Sequence, residues 1–232
     1  MAEQSFHQFC PVAMASELLC TRWTVILLRE LLCGPSRFNE LRRGMPRMSP
    51  ALLSQRLREL EEAGIVERRP APRDQSVNEY QLTAAGHELR PIVEGMGRWG
   101  QRWISGSLSL ENLDGQLLMW DMRRNLRIDP PPQDLRVIHF TYPDAPPRDR
   151  NWWLVVRPGE PVDLCSVDPG LDVDLYVRAG LKEMTAIWMG LDTIEAAREN
   201  GRLSATGDER LASTMAKWLL LSPFAAEAKL VL

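Results

Sequence analysis

The sequence predicts an α+β chain in two parts: a helix-turn-helix with a β-wing, then a sheet with helices on one face. Three observations predict it. Residues 49–64 contain a complete helix with its own start and stop signals. Residues 65–82 follow with two short alternating runs around a proline-bearing tip. Residues 136–221 repeat first every two residues and then every three or four, the change of period that separates strands from helices.

Residues 12–19 and 22–32 read as two helices. The second is apolar almost all round through Trp23, Val25, Ile26, Leu27, Leu28, Leu31 and Leu32, which puts it at the centre of a core, and Gly34 and Pro35 stop it. Residues 38–43 form a short helix, with Met45 and Pro46 in the turn that follows. Ser49 is a good N-cap. Pro50 suits the first helical position because its missing N–H has no partner there, and Gly64 ends the helix in a left-handed turn.

Within those limits Leu53, Leu57 and Leu60 recur at i, i+4 and i+7 and share one buried stripe. Ala51, Gln55, Arg58, Glu59 and Glu62 fall on the other side. An exposed face that begins small and polar suits a helix whose N-terminal half enters a DNA major groove, where Gln pairs with adenine and Arg with guanine. Residues 65–69 and 77–82 read as the strands of a wing whose tip, with Pro70, Pro72, Arg73 and Asp74, brings Arg73 to a neighbouring minor groove. An amphipathic helix followed by a hairpin with no nucleic-acid role has the same pattern.

Thr83 caps a helix running from residue 84 to about 105, with Leu89, Ile92, Val93, Met96, Trp99 and Trp103 at three- and four-residue steps. That stripe is longer than a small winged unit needs for its own core. It implies a two-fold dimer in which the stripe pairs with the N-terminal helix of a second copy, setting two reading helices about one DNA turn apart.

With 232 residues, 44% of them hydrophobic, the chain can bury a proper core. It has no apolar run of about 18 residues, and its first residues lack the basic and apolar regions of a secretory signal, so a cytoplasmic protein without membrane association is expected. Cys10, Cys20, Cys33 and Cys165 form no C-x-x-C pair and His7, His87 and His139 are far apart, so neither a metal site, a cofactor nor a disulfide framework is expected. The absence of a Gly-rich phosphate loop, a G-x-S-x-G elbow and a His-centred cluster argues against an enzyme.

The net charge of −3 conceals an asymmetry: residues 37–73 hold nine arginines against five glutamates, while Lys182, Lys217 and Lys229 all lie in the second half. The basic residues of the first half are therefore all Arg, whose fork matches phosphate and guanine. Double-stranded DNA is the expected partner. The candidate contacts are Arg37, Arg47, Ser49, Ala51, Ser54, Gln55, Arg56, Arg58, Arg69 and Arg73.

In the second half, residues 116–124 read as a short helix holding Leu117, Leu118, Trp120 and Met122, and the Pro run of IDPPPQD is a linker. Residues 136–142, with Ile138, Phe140 and Tyr142 on one face, and residues 151–157, 162–167 and 173–177 read as strands. Helices follow at 180–189, with Met184, Ile187 and Trp188 on one side, and at 193–200. RLSAT is a short strand, and a helix over 209–221 aligns Leu211, Met215, Trp218 and Leu219. The expected division is a DNA-binding and dimerisation domain over 1–105, a helical connector over 106–128 and a ligand-binding domain over 129–232.

Residues 10 to about 103, roughly 40% of the chain, resemble the HxlR-type winged helix-turn-helix regulators, bacterial transcription factors related to the MarR type. The resemblance rests on Cys10-Pro11, RWTVILLRELLCGPSRFNELRR, SPALLSQRLRELEEAGIVERR, EYQLTAAG and Trp99-Gly100. It implies a dimeric DNA-binding repressor or activator, with residues 49–63 in the major groove. The chain departs from the family at Ala51 and Ser76, where a basic residue often stands, which bears on base preference and wing contacts.

In several relatives the cysteine matching Cys10 senses oxidants or electrophiles. Cys10 sits at a helix start, where a thiol pKa is lowered, yet it has no cationic neighbour in sequence, so a small packing residue is the other reading. Cys20 and Cys33 read as core residues.

About the last hundred residues resemble the sterol carrier protein family: strands, a helix pair, then a G-x-L-x-x-x-G-D element, here Gly201 to Asp208. The family holds acyl chains or other apolar molecules between sheet and helices, and the resemblance implies the same domain here without fixing any contact. Met184, Trp188, Met215, Trp218 and Phe224 either line such a cavity or fill a solid core.

The function expected is a regulator, of the repressor kind, that acts as a dimer on a palindromic operator and is modulated by a small apolar effector or by modification of Cys10. The alternative is a carrier of apolar ligands whose winged domain serves only dimerisation.

Overall fold

Proline at the first helical position opens the first helix, α1 (Pro11–Leu19). A turn in which Trp23 takes a left-handed conformation (φ 77°) leads into α2 (Thr24–Leu32). The structure, a computed structural model, describes residues 5–72 and 74–231, in two units, Met1–Met96 and Gly97–Leu232.

The first unit continues with β1 (Ser36–Arg37), α3 (Phe38–Gly44), α4 (Pro50–Glu62), β2 (Val66–Ala71), β3 (Asp74–Leu82), α5 (Ala84–Glu88) and α6 (Arg90–Trp103), within which the division at residue 96 falls. Its antiparallel sheet has the order β1-β3-β2, with Ser36 and Arg68 both opposite Tyr80. Leu27, Leu28 and Leu31 of α2, Leu41 of α3, Met45 and Met48 of the turn, and Leu53, Leu57 and Leu60 of α4 form one buried cluster with Val66 and Leu82. Each such side chain contributes about 1.5–3 kcal/mol through burial, so the helix-turn-helix is held by its own leucines.

The wing strands are longer than 65–69 and 77–82, and Pro70 and Asp74 lie in strands rather than at the tip. The two-residue β1 is too short to leave a periodic signal. The helix expected over 84–105 is two helices: Pro91 has no N–H to donate to the His87 carbonyl, and the break falls just before it, at Leu89. Cys20 and Cys33 are exposed rather than core residues. Nor is α2 apolar all round its buried side, since Glu30 is 0% exposed while Ile26 is 41% exposed.

The second unit holds α7 (Gly106–Glu111), α8 (Gly115–Arg124), β4 (Arg136–Thr141), β5 (Asn151–Val156), β6 (Asp163–Cys165), β7 (Leu175–Ala179), α9 (Leu181–Trp188), α10 (Ile194–Glu199), β8 (Leu203–Gly207), α11 (Glu209–Ser213) and α12 (Met215–Trp218). Its five-stranded sheet runs β6-β5-β4-β7-β8, with β4 and β7 parallel and the other neighbours antiparallel. One cluster joins Ile138, Phe140, Leu154, Leu175 and Val177 of the sheet to Leu118, Met119 and Met122 of α8, Met184 and Ile187 of α9, Ile194 of α10, and Met215 and Trp218 of α12. The segment expected as a connector therefore packs into this core, and the second unit begins at Gly97 rather than near residue 129. The helix expected over 209–221 breaks at Thr214.

Gly207 and Asp208 are built into the fold. Gly207 has a φ of +127°, and a Cβ on it would lie 2.2 Å from the Asp174 carbonyl oxygen. Asp208 caps α11 by accepting from the Leu211 amide at 2.9 Å.

The last residues lie along the C-terminal half of α6. The Phe224 ring sits on Gly97, Arg102 pairs with Glu227, the Lys229 ammonium donates to the Ile104 carbonyl (2.6 Å), and the Leu230 amide donates to the Arg102 carbonyl (2.8 Å). Gln101, itself buried, donates to the Met189 carbonyl at 2.9 Å. On the sheet face away from Ile138 and Phe140, His139 stacks on Trp153 with ring centroids 4.5 Å apart and its Nε2 is 3.1 Å from the Asn151 side-chain oxygen.

Among the described residues no single helix is long and apolar enough to cross a membrane. The pair α1 and α2 passes jointly on length and composition but is bent by 83°.

Candidate nucleic-acid interface

Helix α4 starts where Ser49 accepts the Leu52 amide at 3.3 Å and stops before Gly64, whose φ is +70°. Burial of Leu53, Leu57 and Leu60 turns Ala51, Gln55, Arg58 and Glu62 outward, with Ser49 exposed at the N-terminus and Ser54 half-buried on the flank. Gln55 donates to Glu59 Oε1 at 2.9 Å. Arg58 is exposed and has no hydrogen bond or ion pair among the described residues, so its guanidinium is available to a ligand.

Arg56 is different and leaves the list of base readers. Its side chain is 13% exposed, its Nε donates to the Arg22 carbonyl at 3.2 Å, and its Nη1 pairs with Glu59. Burial raises the Glu59 carboxyl, but hydrogen bonds from Arg56 and Gln55 and the charges of Arg56 and Arg58 together hold it below the usual carboxylate range. Arg56 thus fastens α4 to the chain just before α2.

Arg47 is exposed two residues before the cap, and Arg42 and Arg43 are exposed at the end of α3. Those two and exposed Arg68 of β2 were not among the candidates read from the sequence, although the excess of arginine over glutamate in this segment was a signal for them. Arg37 faces carboxylates: its Nε is 3.7 Å from Glu79, and its charge adds to the two hydrogen bonds from Ser76 that lower the Asp74 carboxyl. Arg69 is exposed on the wing and donates to Glu67 at 2.9 Å. Glu67 is lowered by hydrogen bonds from Gln81 and then Arg69. Arg73 lies outside the described residues.

Cys10 is the N-cap of α1. The amides of Ala13 and Val12 pull its thiol below the ordinary range, although the side chain makes no cap hydrogen bond. In the second unit Met184, Trp188, Met215 and Trp218 come together in one cluster. Phe224 is not part of it and sits against Gly97 instead.

Residues 18–107 match the HxlR-like helix-turn-helix family. Over 101 residues the chain is 37% identical to the HTH-type transcriptional regulator YvaP of Bacillus subtilis (strain 168), covering 43% of this chain and 94% of YvaP. The chain belongs to the HxlR-like helix-turn-helix family. This HxlR-like protein is also 37% identical over 95 residues to the HTH-type transcriptional regulator sll1512 of Synechocystis, covering 41% of the chain and 70% of that relative.

Among solved structures it is similar to the redox regulator HypR in its reduced form, with 37% identity, 40% and 91% of the two chains covered and a TM-score of 0.36. It is likewise similar to the reduced form of the transcriptional regulator YodB from B. subtilis, with 34% identity, 40% and 93% covered and a TM-score of 0.36. The helix-turn-helix of this HxlR-like protein is that of a DNA-binding transcriptional regulator.

Proposed function

We propose that the protein is a dimeric repressor that binds a palindromic operator, with α4 in the major groove and the wing of β2 and β3 beside it. The observation that carries this reading is the outward face of α4. Ser49, Ala51, Gln55 and Arg58 stand exposed while Leu53, Leu57 and Leu60 of the same helix are at most 1% exposed. Small residues followed by Gln and Arg fit a groove floor, and Arg47, Arg42 and Arg43 border them for phosphate.

Dimerisation is supported by α6, on which Ile92, Met96, Trp99 and Trp103 are 50–60% exposed along one helix, and by Phe9, Val12 and Met14, which are 59–97% exposed in or beside α1. Apolar side chains exposed in such numbers mark a protein contact, and pairing α6 with α1 of a second copy covers both sets.

For the second unit the reading is a sterol-carrier-like effector domain. The helix pair α9 and α10, followed by the element from Gly201 to Asp208, supports the resemblance, and Met184, Trp188, Met215 and Trp218 supply deformable apolar walls between sheet and helices. Its occupancy by a small apolar molecule would shift operator affinity through a coupling of about 1–3 kcal/mol. Modification of the Cys10 thiol is a second input to the same switch.

Selection of bound fragments from genomic DNA tests the reading. A palindrome with half-sites one turn apart is expected, and failure to retain any duplex at low salt refutes it. Native mass spectrometry of the purified protein, looking for co-purified apolar molecules, tests the effector domain separately.

A further inference from the structure

Among the described residues of the first unit one carboxylate is buried, and the DNA-facing surface does not use it. Glu30 of α2 is 0% exposed in a helix whose other buried residues are Thr24, Leu27, Leu28 and Leu31. Its carboxylate lies directly over Gly44, the last residue of α3. A Cβ on Gly44 would stand 1.8 Å from Glu30 Oε2 and 2.2 Å from its Cδ, so only glycine leaves room for it. Arg29, 36% exposed, closes the arrangement: its Nη2 donates to Glu30 Oε1 at 2.6 Å and to the Gly44 carbonyl at 3.2 Å.

A buried carboxylate is a poor way to gain stability, because desolvation offsets most of the attraction, and an apolar residue of similar size does as well or better. What a charged, hydrogen-bonded group supplies in place of stability is a defined position. Gly44 is followed at once by the turn, where Met45 and Met48 are buried and the Met48 amide donates to the Met45 carbonyl at 3.0 Å. Ser49 and α4 come next. Fixing Gly44 against α2 therefore fixes the point from which the reading helix departs. Groups that touch base edges must be held within about 0.5 Å and 10–20° of their working geometry, and nothing on the exposed face of α4 can secure that alone.

We infer that Glu30, with Arg29 and Gly44, is a positioning residue for DNA reading: a buried clamp that sets the angle between α2 and the turn and so determines how well α4 distinguishes one sequence from another. The inference rests on the DNA-binding reading but concerns discrimination between sequences rather than binding as such.

The test uses the full chain, the operator fragment recovered with the parent protein, and a scrambled duplex of equal length at one fixed salt concentration. Glu30→Gln keeps the shape and removes the charge. It should fold with a melting temperature close to the parent's, lose about ten-fold in operator affinity, and hold the scrambled duplex within two-fold. Gly44→Ala, which must displace the carboxylate, should show the same affinities on the two duplexes together with a lower melting temperature. In the double variant Glu30→Ala with Gly44→Ala the carboxylate and its bond to Arg29 are gone altogether, so operator affinity should stay at least as low as in Glu30→Gln even though the new methyl group has room.

Operator binding unchanged in both single variants, equal loss on both duplexes, or operator affinity restored in the double variant would overturn the clamp. In the free protein, Glu30→Gln should speed amide hydrogen exchange across residues 48–53 while leaving residues 27–31 as in the parent. Unchanged exchange at 48–53 refutes the clamp even if the parent retains no duplex, an outcome that would separately defeat the regulator reading.

Discussion

Neighbouring arginines on α4 should fail in opposite ways when replaced by alanine. Arg58 is exposed and unpaired among the described residues, so Arg58→Ala should change folding stability by no more than about 0.5 kcal/mol. If Arg58 reads a base, its removal costs about 1–3 kcal/mol per contact, and a dimer carries the change twice, so operator affinity should fall by at least about ten-fold. Arg56 has the inverse profile: 13% exposed, with one N–H on the Arg22 carbonyl and another on Glu59. Arg56→Ala removes hydrogen bonds made by a charged donor to the Arg22 carbonyl and to Glu59, a loss of about 1.5–3 kcal/mol in folding stability. Urea unfolding gives the stabilities, and fluorescence anisotropy on the selected operator and on a scrambled duplex gives the affinities. An Arg58→Ala protein that binds its operator within two-fold of the parent would refute the placement of this face in the groove.

Trp99→Glu puts a charge into the exposed stripe of α6, 60% exposed at that position, and should convert a dimer to a monomer in sedimentation at micromolar concentration. Gly207→Ala must accommodate a methyl 2.2 Å from the Asp174 carbonyl oxygen at a φ of +127°, and should lower the urea midpoint of the second unit by the equivalent of about 1–3 kcal/mol. Burial lowers the His139 pKa, only partly countered by Asn151 and the charge of Asp168. The unfolded chain therefore takes up this proton first as pH falls, and stability present above about pH 6.5 is lost on the way down through the folded pKa. Urea midpoints at pH 5 and 7.5 should show this loss, and His139→Gln should reduce the difference. The amides beside Cys10 should shift the pH profile of its alkylation by iodoacetamide below that of free cysteine, and a profile matching the free thiol would remove the case for sensing.

How much could be read from the sequence followed from whether the deciding interaction was local. Ser49, Pro50 and Gly64 act on their own backbone, so the limits of α4 were legible, as was the inward stripe of Leu53, Leu57 and Leu60. Arg56 adjoins that stripe, and its partner is the Arg22 carbonyl, 34 residues away, which no periodicity reveals. Glu30 looks in sequence like a solvated charge on an apolar helix, and only the missing side chain of Gly44 makes space to bury it. The Pro run after residue 128 makes residues 106–128 look like a connector, although Leu118, Met119 and Met122 have the spacing of a buried stripe. Phe224 was grouped with the cavity residues on chemical type alone, whereas its contact is Gly97, 127 positions earlier.

The close fit of Phe224, Glu227 and Lys229 along the end of α6 means that this chain cannot be trimmed at the end of that helix without side effects. A fragment stopped at residue 105 keeps every arginine meant for DNA yet uncovers Gly97 and Gln101, whose partners Phe224 and Met189 lie beyond the cut. Such a fragment would present a second sticky surface beside its tryptophan stripe, so its self-association would report on the cut as much as on the native protein.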